Sequence, residues 1–237
     1  MKIALVGYGK MGKEIEKIAL DRGHEIVSKI DVTSSDSFDD DSFKSADVAI
    51  EFTRPEAAFN NYQNCFKNNV PVVSGTTGWL DQLPAIEKAC KEDGQTFFYA
   101  SNFSLGVNIF FEINKQLAKI MNKVKEYDVS MEEVHHTQKL DEPSGTAITL
   151  AEGIINNLER KNNWTLDTAK EDEINIKAIR EGQVPGIHTI KYDSPVDEIV
   201  IHHSAKSRQG FALGAVLAAE FTQGKKGMLN MKDLLNF

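Results

Sequence analysis

The chain has 237 residues, 41% hydrophobic and 26% charged, which is long enough for a substantial core and falls between one large domain and two. A formal net charge of -8 argues against a nucleic-acid partner, and no apolar run approaches the ~20 residues of a membrane span. The chain starts directly with a strand-like MKIALVG and not with a charged segment leading into an apolar signal core, so a cytoplasmic location is expected. Cys65 and Cys90 stand singly in helix-like segments without CxxC spacing, and read as reduced packing residues.

In chain order, KIALVG (2–7) predicts a buried strand. Lys10 to Arg22 places Met11, Ile15, Ile18 and Ala19 at helical spacing and stops at Gly23, a suitable end for a helix. HEIVSKI (24–30) predicts a second strand, TSSDSFDDDS a solvated loop, and ADVAIEF (46–52) a third strand with Pro55 at the next helix start. VPVVSG (70–75) and QTFFYA (95–100) predict the fourth and fifth. Strands alternate with helical segments, and no hairpin signal occurs before residue 180. That pattern implies parallel pairing with right-handed crossovers in a doubly wound sheet.

Beyond Asn108 the pattern changes. A long amphipathic helix is expected over roughly 105–124, a strand running into a His-rich turn over 127–136, and a helix opened by Pro143-Ser144-Gly145. From 174 onward three strand-like runs, INIKAIR, IHTIKY and DEIVIHHS, are joined by turns at Val184-Pro185-Gly186 and Asp193-Ser194-Pro195. FALGAVLAAEF (211–221) reads as a helix that returns to the first domain.

Gly7-Tyr8-Gly9-Lys10-Met11-Gly12 is a GxGxxG directly after a strand and opening a helix, where backbone N–H groups can approach a pyrophosphate. An ordinary turn needs one glycine, not three at this spacing. Asp31 ends the second strand 19 residues after Gly12, where a carboxylate can bond ribose hydroxyls. Val32 and Thr33 follow it in place of an arginine, so a 2′-phosphate would face a carboxylate without an adjacent cation, and NADH is expected over NADPH. Gly75-Thr76-Thr77-Gly78 and Ala100-Ser101-Asn102-Phe103 follow the fourth and fifth strands, at the carboxyl edge where such sheets bind ligands; plain surface turns are the alternative. The fold class expected is an α/β Rossmann-type parallel-sheet domain (residues 1–103 with 210–237) plus a smaller α+β substrate-binding and oligomerisation domain (104–209).

The densest chemistry runs from Glu133 to Thr146, with His135, His136 and Lys139 within five residues of a strand end. Such a cluster suits an anionic substrate and proton transfer. Gly145 and Thr146 begin a helix whose free N–H groups form a carboxylate site. Neighbouring histidines on a strand face opposite sides, which counts against a metal held by both, and no zinc spacing such as HExxH occurs; no metal is expected. Ser144 lacks a nucleophile elbow and reads as a helix cap. Arg180, His188 and Arg208 either reinforce the anion pocket or serve as surface or interface groups.

GYGKMG, GTTG, ASNFSLGVN and HHTQKLDEPSGTA, in this order and spacing, resemble the 4-hydroxy-tetrahydrodipicolinate reductase (dihydrodipicolinate reductase) family over essentially the whole chain. The resemblance implies NAD(P)H-dependent reduction of 4-hydroxy-tetrahydrodipicolinate, a small dicarboxylate, with loss of water on the diaminopimelate route to lysine. It also implies a homotetramer built through the second domain's sheet. By the same resemblance His135 is the proton donor/acceptor, Lys139 a second proton donor, and His136, Gly145 and Thr146 hold substrate. Gly7, Tyr8, Gly9, Lys10, Met11, Gly12, Asp31, Gly75, Thr76, Thr77, Ala100, Ser101, Asn102 and Phe103 hold the cofactor. Thr137 and Gln138 replace the Arg and third His of the familiar HHRHK form, and the loop after Asp31 is short and lacks an arginine, which weakens the case for dual cofactor use. Two other readings remain at this level: a related two-domain amino-acid dehydrogenase, and a protein that senses NAD(H) without turnover.

Overall fold

The structure, a computed structural model, describes residues 1–207 and 209–237; Arg208, one of the open anion-pocket residues, lies outside them. In chain order the elements are β1 (Lys2–Val6), α1 (Lys10–Asp21), β2 (Glu25–Ile30), α2 (Asp41–Lys44), β3 (Val48–Glu51), α3 (Pro55–Lys67), β4 (Val72–Ser74), a single 3-10 turn (Leu80–Gln82), α4 (Leu83–Glu92) and β5 (Thr96–Tyr99). Then come α5 (Leu105–Met121), β6 (Asp128–His135), α6 (Gly145–Ile155), β7 (Asn163–Thr165), β8 (Glu173–Arg180), β9 (Ile187–Asp193) and β10 (Glu198–Ser204). The chain finishes with α7 (Gln209–Thr222), β11 (Gly227–Leu229) and α8 (Met231–Leu235). They form two compact units, Met1–Leu105 with Gln209–Phe237, and Gly106–Arg208.

The first unit carries a parallel sheet in the order β11-β5-β4-β3-β1-β2. Its strands are short apolar runs because both faces are covered. On one face Ile3, Leu5, Ile50, Val73 and Phe98 pack with Ile15 and Ala19 of α1, Ala215 and Ala219 of α7, and Met231 of α8. On the other, Ala4, Val6 and Phe97 pack with Phe43 of α2, Tyr62 of α3 and Ile86 of α4. The acidic stretch read as a solvated loop runs into α2, because Phe43 is fully buried and pins a turn there. The sixth strand, β11, has three residues after Lys225-Lys226, too short to show a period.

The second unit has a mixed sheet in the order β10-β9-β6-β8-β7. β6 pairs in parallel with β8 and antiparallel with β9, and β9 and β10 form a hairpin. One face packs on α5 and α6, where Phe110, Met121, Leu150 and Ile154 meet Val129, Met131, Ile176 and Tyr192. The opposite face is polar, with Ser130, Glu132, Lys177, Thr189 and Lys191 around a shallow hollow of about 250 Å³. Along β6 the inward positions are Val129, Met131, Glu133 and His135, so an apolar stripe turns ionisable at its last two places.

Candidate active site

In the first unit the turn after β1 is built by close backbone packing. Gly7 adopts φ +92°, and a side chain there would lie 2.1 Å from the Phe52 carbonyl oxygen; one at Gly12 would lie 2.3 Å from the Gly7 carbonyl oxygen. Both positions therefore exclude any larger residue. Gly9 is the N-cap of α1 with no side-chain cap and, among the described residues, nothing within 4 Å of where a Cβ would stand. An uncapped helix start of this kind leaves first-turn N–H groups suited to an anion. Asp31 turns one carboxylate oxygen to the Tyr8 N–H and the other to its neighbour Val32 N–H, each at 2.6 Å. A cleft of about 1010 Å³ runs past Gly7, Gly9, Asp31, Phe52, Thr53 and Arg54. It opens where β1 and β3 lie side by side, the switch point of a doubly wound sheet. The glycines, the uncapped helix start and the carboxylate together fit a dinucleotide.

Not every residue expected at the cofactor offers its side chain. Lys10 is exposed on the first turn of α1, whereas Met11 packs against the core. Phe103 is buried, its ring 5.9 Å from Phe98 and 5.6 Å from Phe52. Asn102 accepts from the Ser104 N–H at 2.9 Å and Ala100 is buried, leaving Ser101 as the exposed side chain of that loop. Thr76 turns inward: its hydroxyl donates to Glu51 at 3.0 Å and accepts from the Thr53 N–H at 2.8 Å. Thr77 beside it is exposed. Glu51, absent from the sequence reading, is fully buried and also accepts from Ser74 and Thr53, so it braces the Gly75–Thr77 loop from below.

In the second unit, β6 delivers His135 as its last residue, 7% exposed, with Nδ1 3.1 Å from Oε2 of the fully buried Glu133. The other carboxylate oxygen accepts from the Ser144 N–H at 2.9 Å and from Nη2 of Arg180 at 3.1 Å. Burial alone would raise the Glu133 carboxyl; the close approach of His135 and hydrogen bonds from Ser144 and Arg180 overcome it and hold the group at about 2. His188 stands directly across β9 from Glu133, its ring 5.1 Å from that of His135. Burial pushes its imidazole down to about 4, with His135, His203 and Lys139 adding to the effect and Glu133 opposing it, so it is neutral at pH 7.

His136 lies one residue past the strand and is half-buried. A turn closed by the Lys139 N–H on the His136 carbonyl (3.1 Å) brings Lys139 round, its Nζ 2.8 Å from Asp141, a contact that lowers the Asp141 carboxyl. Ser144 caps α6 by accepting from the Ala147 N–H at 3.2 Å, and Gly145 is exposed ahead of it with no neighbour within 4 Å of a Cβ among the described residues. The structure thus brings His135, Arg180 and His188 together around Glu133 and sets the helix start beside them. Glu133, His135 and His188 also offer one possible ligand atom each, all within 4.8 Å of one another. The sequence had no sign of such a trio, which comes from two strands; the Arg180 guanidinium already lies on its only carboxylate.

Reduction by hydride needs a dinucleotide cleft and a source of protons, and a chain that builds both falls in the class of NAD(P)-dependent oxidoreductases. Comparison with known proteins narrows this. Residues 1–103 match the N-terminus of dihydrodipicolinate reductase and residues 106–235 its C-terminus. The 4-hydroxy-tetrahydrodipicolinate reductase of Christiangramia forsetii is 54% identical over 236 residues, 100% of this chain and 98% of that protein. The protein of the same name from Neisseria meningitidis serogroup B is 36% identical over 229 residues, 93% of this chain and 83% of that protein. The dipicolinate-bound dihydrodipicolinate reductase of Paenisporosarcina sp. TG-14 shares the fold, with a TM-score of 0.79 at 24% identity over 98% of each chain. The chain belongs to the dihydrodipicolinate reductase family.

Proposed function

We propose that the chain reduces 4-hydroxy-tetrahydrodipicolinate to tetrahydrodipicolinate with NAD(P)H and loss of water, on the diaminopimelate route to lysine. The observation that carries the reading is the buried His135–Glu133–Arg180 assembly beside the open start of α6, in a chain 54% identical to a protein of that name. When bound, NAD(P)H supplies the hydride. Gly7 to Gly12, Asp31, Gly75 to Thr77 and Ala100 to Phe103 hold it, through backbone groups where their side chains are buried.

His135 exchanges a proton with the substrate, its Nδ1 side held by Glu133. Lys139 is the second proton donor. The Gly145 and Thr146 N–H groups at the positive end of α6 receive a substrate carboxylate, with His136 beside them. Thr137 and Gln138 are exposed and carry no charge, so Lys139 and the helix start bear most of the anion binding.

NADH is the preferred cofactor. Asp31 is the carboxylate expected at the ribose, and the nearby Lys29 is already paired with Glu16 at 2.5 Å over the Tyr8 ring, so it is not free for a 2′-phosphate; Lys13 and Arg54 are the other cations bordering Asp31. Among the described residues no helix is long and apolar enough to cross a membrane, which supports a cytoplasmic enzyme. Four chains associate through the second unit's sheet, and light scattering should give four times the 26.4 kDa chain mass. Oxidation of NADH, and separately NADPH, with substrate made from pyruvate and aspartate semialdehyde by a coupled synthase tests the reaction. Substrate-dependent oxidation, faster with NADH, is expected; binding of both cofactors without oxidation would overturn the reading.

A further inference from the structure

We propose that Glu133 is a positioning residue for the reaction: its carboxylate orients the His135 ring, stands where it offsets positive charge on the ring during proton exchange, and ties it to the helix start that receives the substrate carboxylate. The inference rests on the reading of His135 as the proton donor/acceptor.

A carboxylate on the core-facing side of a strand is costly unless both oxygens are paired. Here one oxygen takes Ser144 N–H and Arg180 Nη2, and the other faces His135 Nδ1. Three segments therefore converge on one side chain: the end of β6, the end of β8 and the first turn of α6. Arg180 tightens the junction by donating to the Asp141 carbonyl at 2.6 Å, within the loop that carries Lys139. With Nδ1 turned to Glu133, Nε2 is the ring nitrogen left to exchange a proton. Gly186 borders it; a Cβ there would lie 3.0 Å from Nε2.

The charged and titratable groups around the pair are Arg180 on β8, His188 on β9, His203 on β10 opposite His188, and Lys139 with Asp141 in the loop. His188 is neutral, Lys139 is matched by Asp141, and Arg180 opposes a positive ring. Glu133 is thus the sole carboxylate among them that contacts His135. An imidazolium beside it gains a charge-assisted interaction that an amide cannot supply.

The test compares kcat/KM across pH for the parent enzyme, Glu133→Gln, Glu133→Asp and His135→Gln, with Trp164 emission in a Trp79→Phe background as the control for folding of the second unit. Glu133→Gln keeps an oxygen for Ser144 and Arg180 but loses the charge. It is expected to lose at least about tenfold in kcat and to move the alkaline limb of the profile about one to two pH units lower. Glu133→Asp, with the charge withdrawn by one methylene, should fall between parent and Glu133→Gln; it decides the matter alone if Glu133→Gln does not fold. A limb that stays at the parental pH in the folded variant reduces Glu133 to packing and overturns the proposal. His135→Gln separates the two readings: if it retained parental activity, the proton-donor assignment itself would fail, whereas an inactive His135→Gln beside an unshifted Glu133 variant sinks only the present inference.

Discussion

The two units build their candidate sites in opposite ways. The first uses backbone: glycines at 7, 9 and 12 let a strand turn sharply into α1 without a side-chain cap, with Asp31 turned back onto the Tyr8 N–H beside them. The second uses side chains, a buried carboxylate with an arginine and two imidazoles drawn from three strands. Backbone sites fail by steric collision; side-chain sites fail by losing charge or register.

The largest effect that would sharpen this contrast is His135→Gln or Lys139→Ala. Each is expected to lower kcat/KM by about 10²–10⁴-fold while NADH affinity, a property of the first unit, stays within about twofold. A parallel loss of NADH binding would break the separation. Next comes Gly12→Ala, whose Cβ would sit 2.3 Å from a carbonyl oxygen: NADH binding and the first unit's cooperative melting should both suffer. Gly9→Ala, with open space before it, should keep its melting temperature and weaken only NADH, as titration of the two proteins would reveal.

Acid should affect the second unit first. In the fold Glu133 titrates near 2, below its unfolded value, so its stabilisation is full above about pH 4.5 and fades as pH falls toward 2. His188 titrates near 4 when folded and near 6.5 when unfolded, so its share is full above 6.5 and is lost as pH drops toward 4. In both windows the unfolded chain binds more protons, and stability rises with pH. Trp79 lies in the first unit and Trp164 in the second, the chain's only two tryptophans, so Trp164→Phe and Trp79→Phe variants report each unit separately. The transition seen by Trp164 is expected at the higher pH. The smallest effect is Ser144→Ala, which removes the α6 cap at a cost of about 1 kcal/mol in chemical denaturation and should leave NADH binding untouched.

How much of this was legible in the sequence follows from the same contrast. The glycine turn and Asp31 could be read because they occupy one β-α-β stretch, and His135, Lys139 and Gly145 because they crowd into eleven residues. The parallel sheet was visible as alternation; of the turns joining the last three strand-like runs, the one before β10 makes a hairpin, whereas β6 inserts between β8 and β9, a mixed pairing that no local pattern shows. Arg180 and His188 were left open because their roles depend on register: His135 pairs with Arg180 across β8, and Glu133 with His188 across β9, over separations of more than forty residues. Phe52, Thr53 and Arg54 enter the cofactor cleft only because β3 lies next to β1. Thr76, expected among the cofactor-holding positions, turns its hydroxyl to Glu51, a buried acid that no local pattern marks. β7 and β11, three residues each, are held by neighbours and not by their own periodicity.

The return of residues 209–237 to the first unit also sets an order of events during synthesis. Ala212, Ala215, Val216, Ala219 and Met231 cover the face of the sheet that displays Ile3, Leu5, Ile50 and Phe98, and β11 completes its edge. Until the ribosome has released that segment, α1 alone covers that face of the early strands, while residues 106–208 form a contiguous unit with its own core already out of the tunnel. The part of the protein translated in the middle is free to fold first, and the part translated at the beginning waits for the end.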